Sequence, residues 1–70
     1  MDKRDVSYYR LIKCNLTVFP TDIDPEILSE FYMGYITALY DCEKLSATSY
    51  DELCHLGVDG FLDFCEFLGI

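Results

Sequence analysis

The chain has 70 residues and is 51% hydrophobic and 16% aromatic, which allows one small folded domain and excludes a disordered chain. Its formal net charge is −8, distributed unevenly: four basic and two acidic residues give +2 over residues 1–13, and one lysine against eleven acids gives −10 over residues 14–70. An acidic body repels nucleic acid and anionic membranes and attracts basic proteins, although acidity can also serve solubility alone.

The first segment, residues 5–19, fits two kinds of secondary structure. Its β-branched and aromatic residues favour a strand. Its apolar residues also recur at helical spacing, at Tyr8, Leu11, Ile12, Leu16 and Phe19. Because a strand needs a partner and the remaining chain is predicted to be helical, we expect a helix; a small β-hairpin turning near residues 13–15, or a strand completed by another chain, are the alternatives.

A long helix is predicted from Asp24 to about Lys44. Asp24 suits the N-cap, Pro25 the first helical position and Glu26 the positive end of the helix dipole. An apolar stripe covering half of the helix follows at Ile27, Leu28, Phe31, Tyr32, Tyr35, Ile36, Leu39 and Cys42.

A second helix is predicted after the "SATS" segment, with Ser46, Thr48 and Ser49 as competing N-caps. Ser49 and Glu52 have the spacing of a capping box. Gly57 is expected to end this helix, since glycine tolerates the left-handed conformation, and Asp59 would then cap a last helix.

These elements predict an all-α fold over residues 1–70, a small bundle of three to four helices. The expected core consists of Leu28, Phe31, Tyr35, Leu39, Cys42, Leu53, Phe61, Phe64 and Leu68.

No catalytic, metal or cofactor site is predicted. The cysteines at 14, 42, 54 and 65 contain no CxxC pair, and the chain has one histidine, His55. Structural zinc sites usually need closer cysteine pairs. No apolar leader follows Met1 and no run approaches transmembrane length, so we expect a cytoplasmic location in a host cell and cysteines that are reduced and buried.

Two polar helix faces are candidates for partner binding. On the long helix, opposite the apolar stripe, Met33 and Tyr40 lie two turns apart, and their acidic and polar neighbours complete a predicted face of Glu30, Met33, Thr37, Tyr40 and Asp41. Apolar residues rimmed by acids are typical of an interface for a basic protein. The alternative is that another element covers Met33 and Tyr40 as core. The second candidate face, on the last helix, is formed by Asp59, Asp63, Glu66 and Phe67.

The stretch "ITALYDCEKLSATSYDELCHL" resembles the helical hairpin of the short C-terminal oligomerisation domain, whose two helices are joined by a Gly-Ile-Ile-Thr turn. Leu45-Ser46 stands where the Ile-Thr would be, Tyr50 where that pattern has phenylalanine, and Glu43 replaces the expected glycine. The likeness covers about a third of the chain, and we interpret it as the physics common to helical hairpins.

As a class, the chain is similar to the small acidic inhibitors of phages and mobile elements, including anti-CRISPR proteins; size and acidity carry this similarity, and no motif does. It implies a non-enzymatic protein that binds a basic, nucleic-acid-handling complex, without direct contact to nucleic acid or membrane. The alternative hypothesis is a self-associating helical accessory protein, such as a homodimer, with a structural or regulatory role.

Overall fold

A computed structural model describes residues 3–70 of the chain. A 3₁₀ turn at Lys3–Asp5 leads into helix α1 (Val6–Thr17), which is followed by α2 (Pro25–Asp41) and α3 (Ala47–Leu68). The described residues contain no strand. The predicted all-α bundle is therefore confirmed.

Helix α1 decides between the two interpretations of the N-terminal segment. Tyr9, Ile12 and Leu16 are buried at helical spacing, at most 4% exposed. A strand would point Tyr9 and Ile12 to opposite faces. The alternatives of a hairpin or a strand are wrong within this segment, and the helix buries one stripe against α2 and α3.

Helix α2 begins as its sequence predicts. The Asp24 carboxylate accepts a hydrogen bond from the Glu26 backbone N–H at 2.9 Å, and Pro25 occupies the first turn. The helix ends at Asp41, three residues earlier than expected.

The end of α2 is closed by two backbone hydrogen bonds of the Schellman type. The N–H of Lys44 donates to the carbonyl of Leu39 and that of Glu43 to Tyr40. This arrangement holds Glu43 at φ 61°, in the left-handed region that glycine usually occupies. The position matches the glycine expected from the helical-hairpin resemblance, and the next apolar residue, Leu45, is buried.

The core lies at the centre of the predicted apolar stripe of α2. Tyr32 and Ile36 are fully buried, together with Leu53, Phe61 and Cys65 of α3. The predicted core residues Leu28, Phe31, Tyr35, Leu39 and Phe64 are half-buried and pack around this centre. In α2 the middle of the stripe is therefore the part that is buried most completely.

Two residues of the predicted core are exposed. Cys42 follows the last residue of α2, where the chain leaves the helix direction, and Leu68 is 40% exposed in the last turn of α3. The prediction that these two residues belong to the core is wrong. The apolar residues recur beyond the part of each helix that a neighbouring helix covers. Cys14 is also exposed, so the prediction that the cysteines are buried is wrong for Cys14 and Cys42.

Helix α3 starts from a cap that tertiary contacts select. The Ser46 hydroxyl accepts from the Ser49 N–H at 3.1 Å and donates to the Asp5 carboxylate at 3.0 Å. The Ser49 hydroxyl is buried and hydrogen-bonds that of Tyr9 at 2.7 Å. The capping box predicted from Ser49 and Glu52 is therefore wrong, because Ser46 is the cap and Ser49 faces the core.

Gly57 interrupts α3. Its backbone has φ 70° and ψ −175°, whereas the residues on both sides are helical. This region of conformational space is essentially restricted to glycine. The predicted break at Gly57 is present, but the chain re-enters the helix at Val58 without a separate cap at Asp59.

Candidate protein-binding surface

The first candidate face, Glu30, Met33, Thr37, Tyr40 and Asp41, is called the α2 outer face. Four of its members are exposed, with Met33 at 36% and Tyr40 at 38%. The buried residues of α2 are Tyr32 and Ile36, and Tyr40, one turn after Ile36, lies at the edge between this buried stripe and the exposed side of the helix. The fold thus leaves both large residues of this face accessible next to two carboxylates.

Two members of the α2 outer face also contact α3. The Thr37 hydroxyl hydrogen-bonds the Tyr50 hydroxyl at 3.0 Å. The rings of Tyr40 and Tyr50 stack in parallel, with centroids 4.4 Å apart and an interplanar angle of 6°. Tyr40 therefore divides its ring between an internal contact and solvent, and its orientation is fixed by that contact. Met33 carries no such constraint.

Gly34 lies beside Met33 and was not recognised from the sequence as part of a surface. It is exposed, and a Cβ built there would meet no atom within 4 Å. Glycine inside a helix costs roughly 0.5–1 kcal/mol relative to alanine. The packing within the chain does not require this glycine. The sequence feature that could have indicated this position is a glycine in the middle of a helix, next to its polar face.

The second candidate face, Asp59, Asp63, Glu66 and Phe67, is called the α3 acidic face. All four residues are exposed, and Phe67 is 85% exposed, the largest value among the exposed large hydrophobic residues of the described chain. At about 100° per residue, Phe67 lies on the same side of α3 as Asp63, its neighbour one turn earlier. The two candidate faces lie on different helices and do not form a single constellation.

Two charged residues of the N-terminal segment are engaged with other elements. The Lys13 Nζ donates to the backbone carbonyl of Ile70, and the Asp5 carboxylate accepts from the backbone N–H and the hydroxyl of Ser46. The acids of both candidate faces lie instead on exposed helix surfaces. Both faces therefore carry accessible negative charge.

Two ionisable groups of the core, Tyr32 and Cys65, have pKa values raised by burial. Burial raises the pKa of the Tyr32 hydroxyl, which donates to the Leu53 carbonyl at 2.7 Å. Burial also raises the pKa of the Cys65 thiol, and nearby Lys13 opposes this change. Both groups are held protonated at neutral pH, so neither is an activated nucleophile or base.

Residues that could bind a metal ion do not cluster elsewhere in the described chain. Within residues 3–70, no three His, Cys, Asp or Glu side chains lie close enough to hold a metal ion. His55 lies on the exposed surface of α3, where its Nδ1 is 3.8 Å from the Asp51 carboxylate. None of the helices described here combines the length and hydrophobicity needed to cross a membrane.

Comparison of the chain with protein-family models, with characterised proteins and with solved structures finds no match. The exposed surface of the protein and its chemistry are therefore the basis for assigning a function.

Proposed function

We propose that this protein is a non-enzymatic inhibitor of the kind carried by phages and mobile elements, and that its α2 outer face docks on a basic, nucleic-acid-handling protein complex. The observation that carries the proposal is the exposure of Met33 and Tyr40 beside the carboxylates of Glu30 and Asp41, on the part of α2 that the core leaves uncovered. The small, acidic domain has the character expected of an inhibitor of this class.

The α2 outer face combines the two physical components of such an interface. Its carboxylates attract a basic surface and accelerate encounter, an effect that salt screens over about 8 Å at physiological ionic strength. Met33 and the pre-oriented ring of Tyr40 can be desolvated on contact, and such anchors usually dominate affinity. Gly34, which follows Met33 and is exposed, allows a partner backbone to approach α2 closely.

The test begins with affinity capture of the partner from a host lysate, identified by mass spectrometry, and continues with kinetics on the purified pair. Met33→Ala should mainly raise the dissociation rate, because it removes an exposed apolar side chain that a partner would cover. Asp41→Lys should mainly slow association, and more strongly at low salt.

The matched control is Asp22→Lys, which makes the same charge change at an exposed position in the turn before α2 begins, outside the α2 outer face. Tyr40→Ala is a weaker test on its own, since loss of the stack on Tyr50 also costs stability. Normal binding by folded Met33→Ala and Asp41→Lys variants would rule out the α2 outer face as the docking surface.

Self-association is the second candidate function, and the exposure of Phe67 favours it. Phe67 is 85% exposed and Val18 is 74% exposed, and apolar residues of this size are commonly covered in oligomers. Sedimentation equilibrium at low and high salt distinguishes the two functions. Apolar self-association persists or strengthens at high salt and is lost in Phe67→Ser, whereas a charge-steered heterocomplex weakens with salt.

A further inference from the structure

A groove of about 450 Å³ lies beside the break in α3. Its walls are Asp51, Glu52, His55 and Leu56 from the first half of the helix and Phe64 from the second half. The residues on the two sides of Gly57, where the backbone leaves the helical conformation, thus line one hollow.

The groove is separate from the α2 outer face. Tyr50 is an α3 residue that contacts the α2 outer face, through Thr37 and Tyr40. Glu52, two residues further on, points about 200° away around the helix. A ligand in the groove therefore contacts a different flank of the protein.

The apolar part of the groove lining is formed by Leu56 and Phe64. Leu56 is 37% exposed, and Phe64 is half-buried with its ring packed edge-on against Tyr9 at a centroid distance of 6.1 Å. Such a surface accepts the methylene stem of a long side chain or the face of a planar cation.

The rim of the groove supplies hydrogen-bond acceptors. The Nδ1–H of His55 donates to the Asp51 backbone carbonyl at 2.8 Å, because a carbonyl oxygen can only accept. In the neutral ring this leaves Nε2 as an acceptor. The exposed Asp51 carboxylate lies 3.8 Å from the same ring. Glu52 already interacts within the chain, so we assign the negative charge of the rim to Asp51.

We propose that this groove binds an arginine side chain of a basic protein. A guanidinium is planar and weakly hydrated, so it stacks on Phe64 and Leu56 while its edge donates to the Asp51 carboxylate and to His55 Nε2. The charge of −10 over residues 14–70 favours a cationic ligand over a neutral or anionic one. The site does not depend on the α2 outer face.

The probe is the blocked peptide acetyl-Gly-Arg-Gly-amide, titrated into ¹⁵N-labelled protein and followed by NMR. The same peptide with citrulline in place of arginine keeps the shape and removes the charge. The expected result is a set of saturable shifts confined to the backbone amides around His55, Leu56 and Phe64, with binding of the citrulline peptide roughly two- to fivefold weaker, as for an exposed ion pair.

Variants locate the contact. Asp51→Asn should weaken binding of the arginine peptide by a similar factor, whereas Asp22→Asn, the same change at an exposed position outside the groove and the α2 outer face, should not alter its affinity. Leu56→Asn should weaken the binding of both peptides, because it removes part of the apolar surface of the groove.

Three results would overturn the proposal: shifts spread over all acidic surfaces, equal binding of arginine and citrulline peptides, or equal effects of Asp51→Asn and Asp22→Asn. Failure of this experiment leaves the α2 outer face proposal intact, since none of these variants lies on the α2 outer face.

Discussion

Replacing Gly57 by alanine tests the break in α3 directly. The backbone at φ 70° and ψ −175° lies in a region that costs a residue with a Cβ about 1–3 kcal/mol. A Cβ at this position would meet no atom within 4 Å, so no steric clash adds to that cost. Alanine also lowers the conformational entropy of the unfolded chain, which stabilises the folded protein by about 0.4–1 kcal/mol. The net expectation is a loss of about 1–2 kcal/mol in the free energy of unfolding.

Gly34→Ala is the matched control for Gly57→Ala. Its Cβ also meets nothing within 4 Å, but Gly34 lies within α2 and has no positive φ. Here alanine should stabilise the protein by about 0.5–1 kcal/mol, through helix propensity and the unfolded state. The two identical substitutions should therefore change stability in opposite directions, because only the backbone conformation differs.

Urea unfolding followed by circular dichroism at 222 nm measures both variants. For a domain of this size, 1 kcal/mol corresponds to about 4–8 °C in Tm, so thermal melts give an independent reading. Equal stabilisation by Gly57→Ala and Gly34→Ala would show that α3 is one continuous helix. The groove beside the break and the burial of Phe61 and Cys65 would then need another explanation.

Three further predictions concern the turn after α2, the core and the thiols. Glu43→Gly should raise the free energy of unfolding by about 0.5–1 kcal/mol in urea titrations, because glycine removes the strain of φ 61°; a loss of stability would show that this turn is not left-handed. The free energy of unfolding should fall as pH rises above about 9, because burial raises the pKa of both Cys65 and Tyr32 and the unfolded chain therefore loses these protons first. Thermal melts from pH 8 to 11 measure this fall, and Tyr32→Phe should make it less steep. In native buffer, Cys14 and Cys42 should react quickly with a thiol reagent and Cys65 only on unfolding; fast labelling of Cys65 would contradict its burial.

The sequence of this protein by itself determined the features that depend on neighbouring residues. The start of α2 follows from Asp24, Pro25 and Glu26, whose capping and dihedral preferences act within one helical turn. The break at Gly57 was predictable for the same reason, since a positive φ is a property of that single residue. The all-α class followed from apolar periodicity over longer stretches.

The tertiary structure decided which part of each stripe is covered. The stripe of α2 spans half the helix, yet Tyr32 and Ile36 are fully buried while Phe31 and Tyr35 are half-buried, because coverage depends on where α1 and α3 cross. Periodicity defines a side of a helix and contains no information on the position of its neighbours.

The same limit applied to the N-terminal segment and to the candidate surface. Strand and helix propensities conflicted in α1, and burial of one helical stripe against α2 and α3 resolved the conflict. For the α2 outer face, the sequence placed Met33 and Tyr40 on the polar side of the helix but left open whether another element covers them. The stack of Tyr40 on Tyr50 and the accessibility of both residues follow from the packing of α3 on α2, a contact between segments that no local pattern encodes.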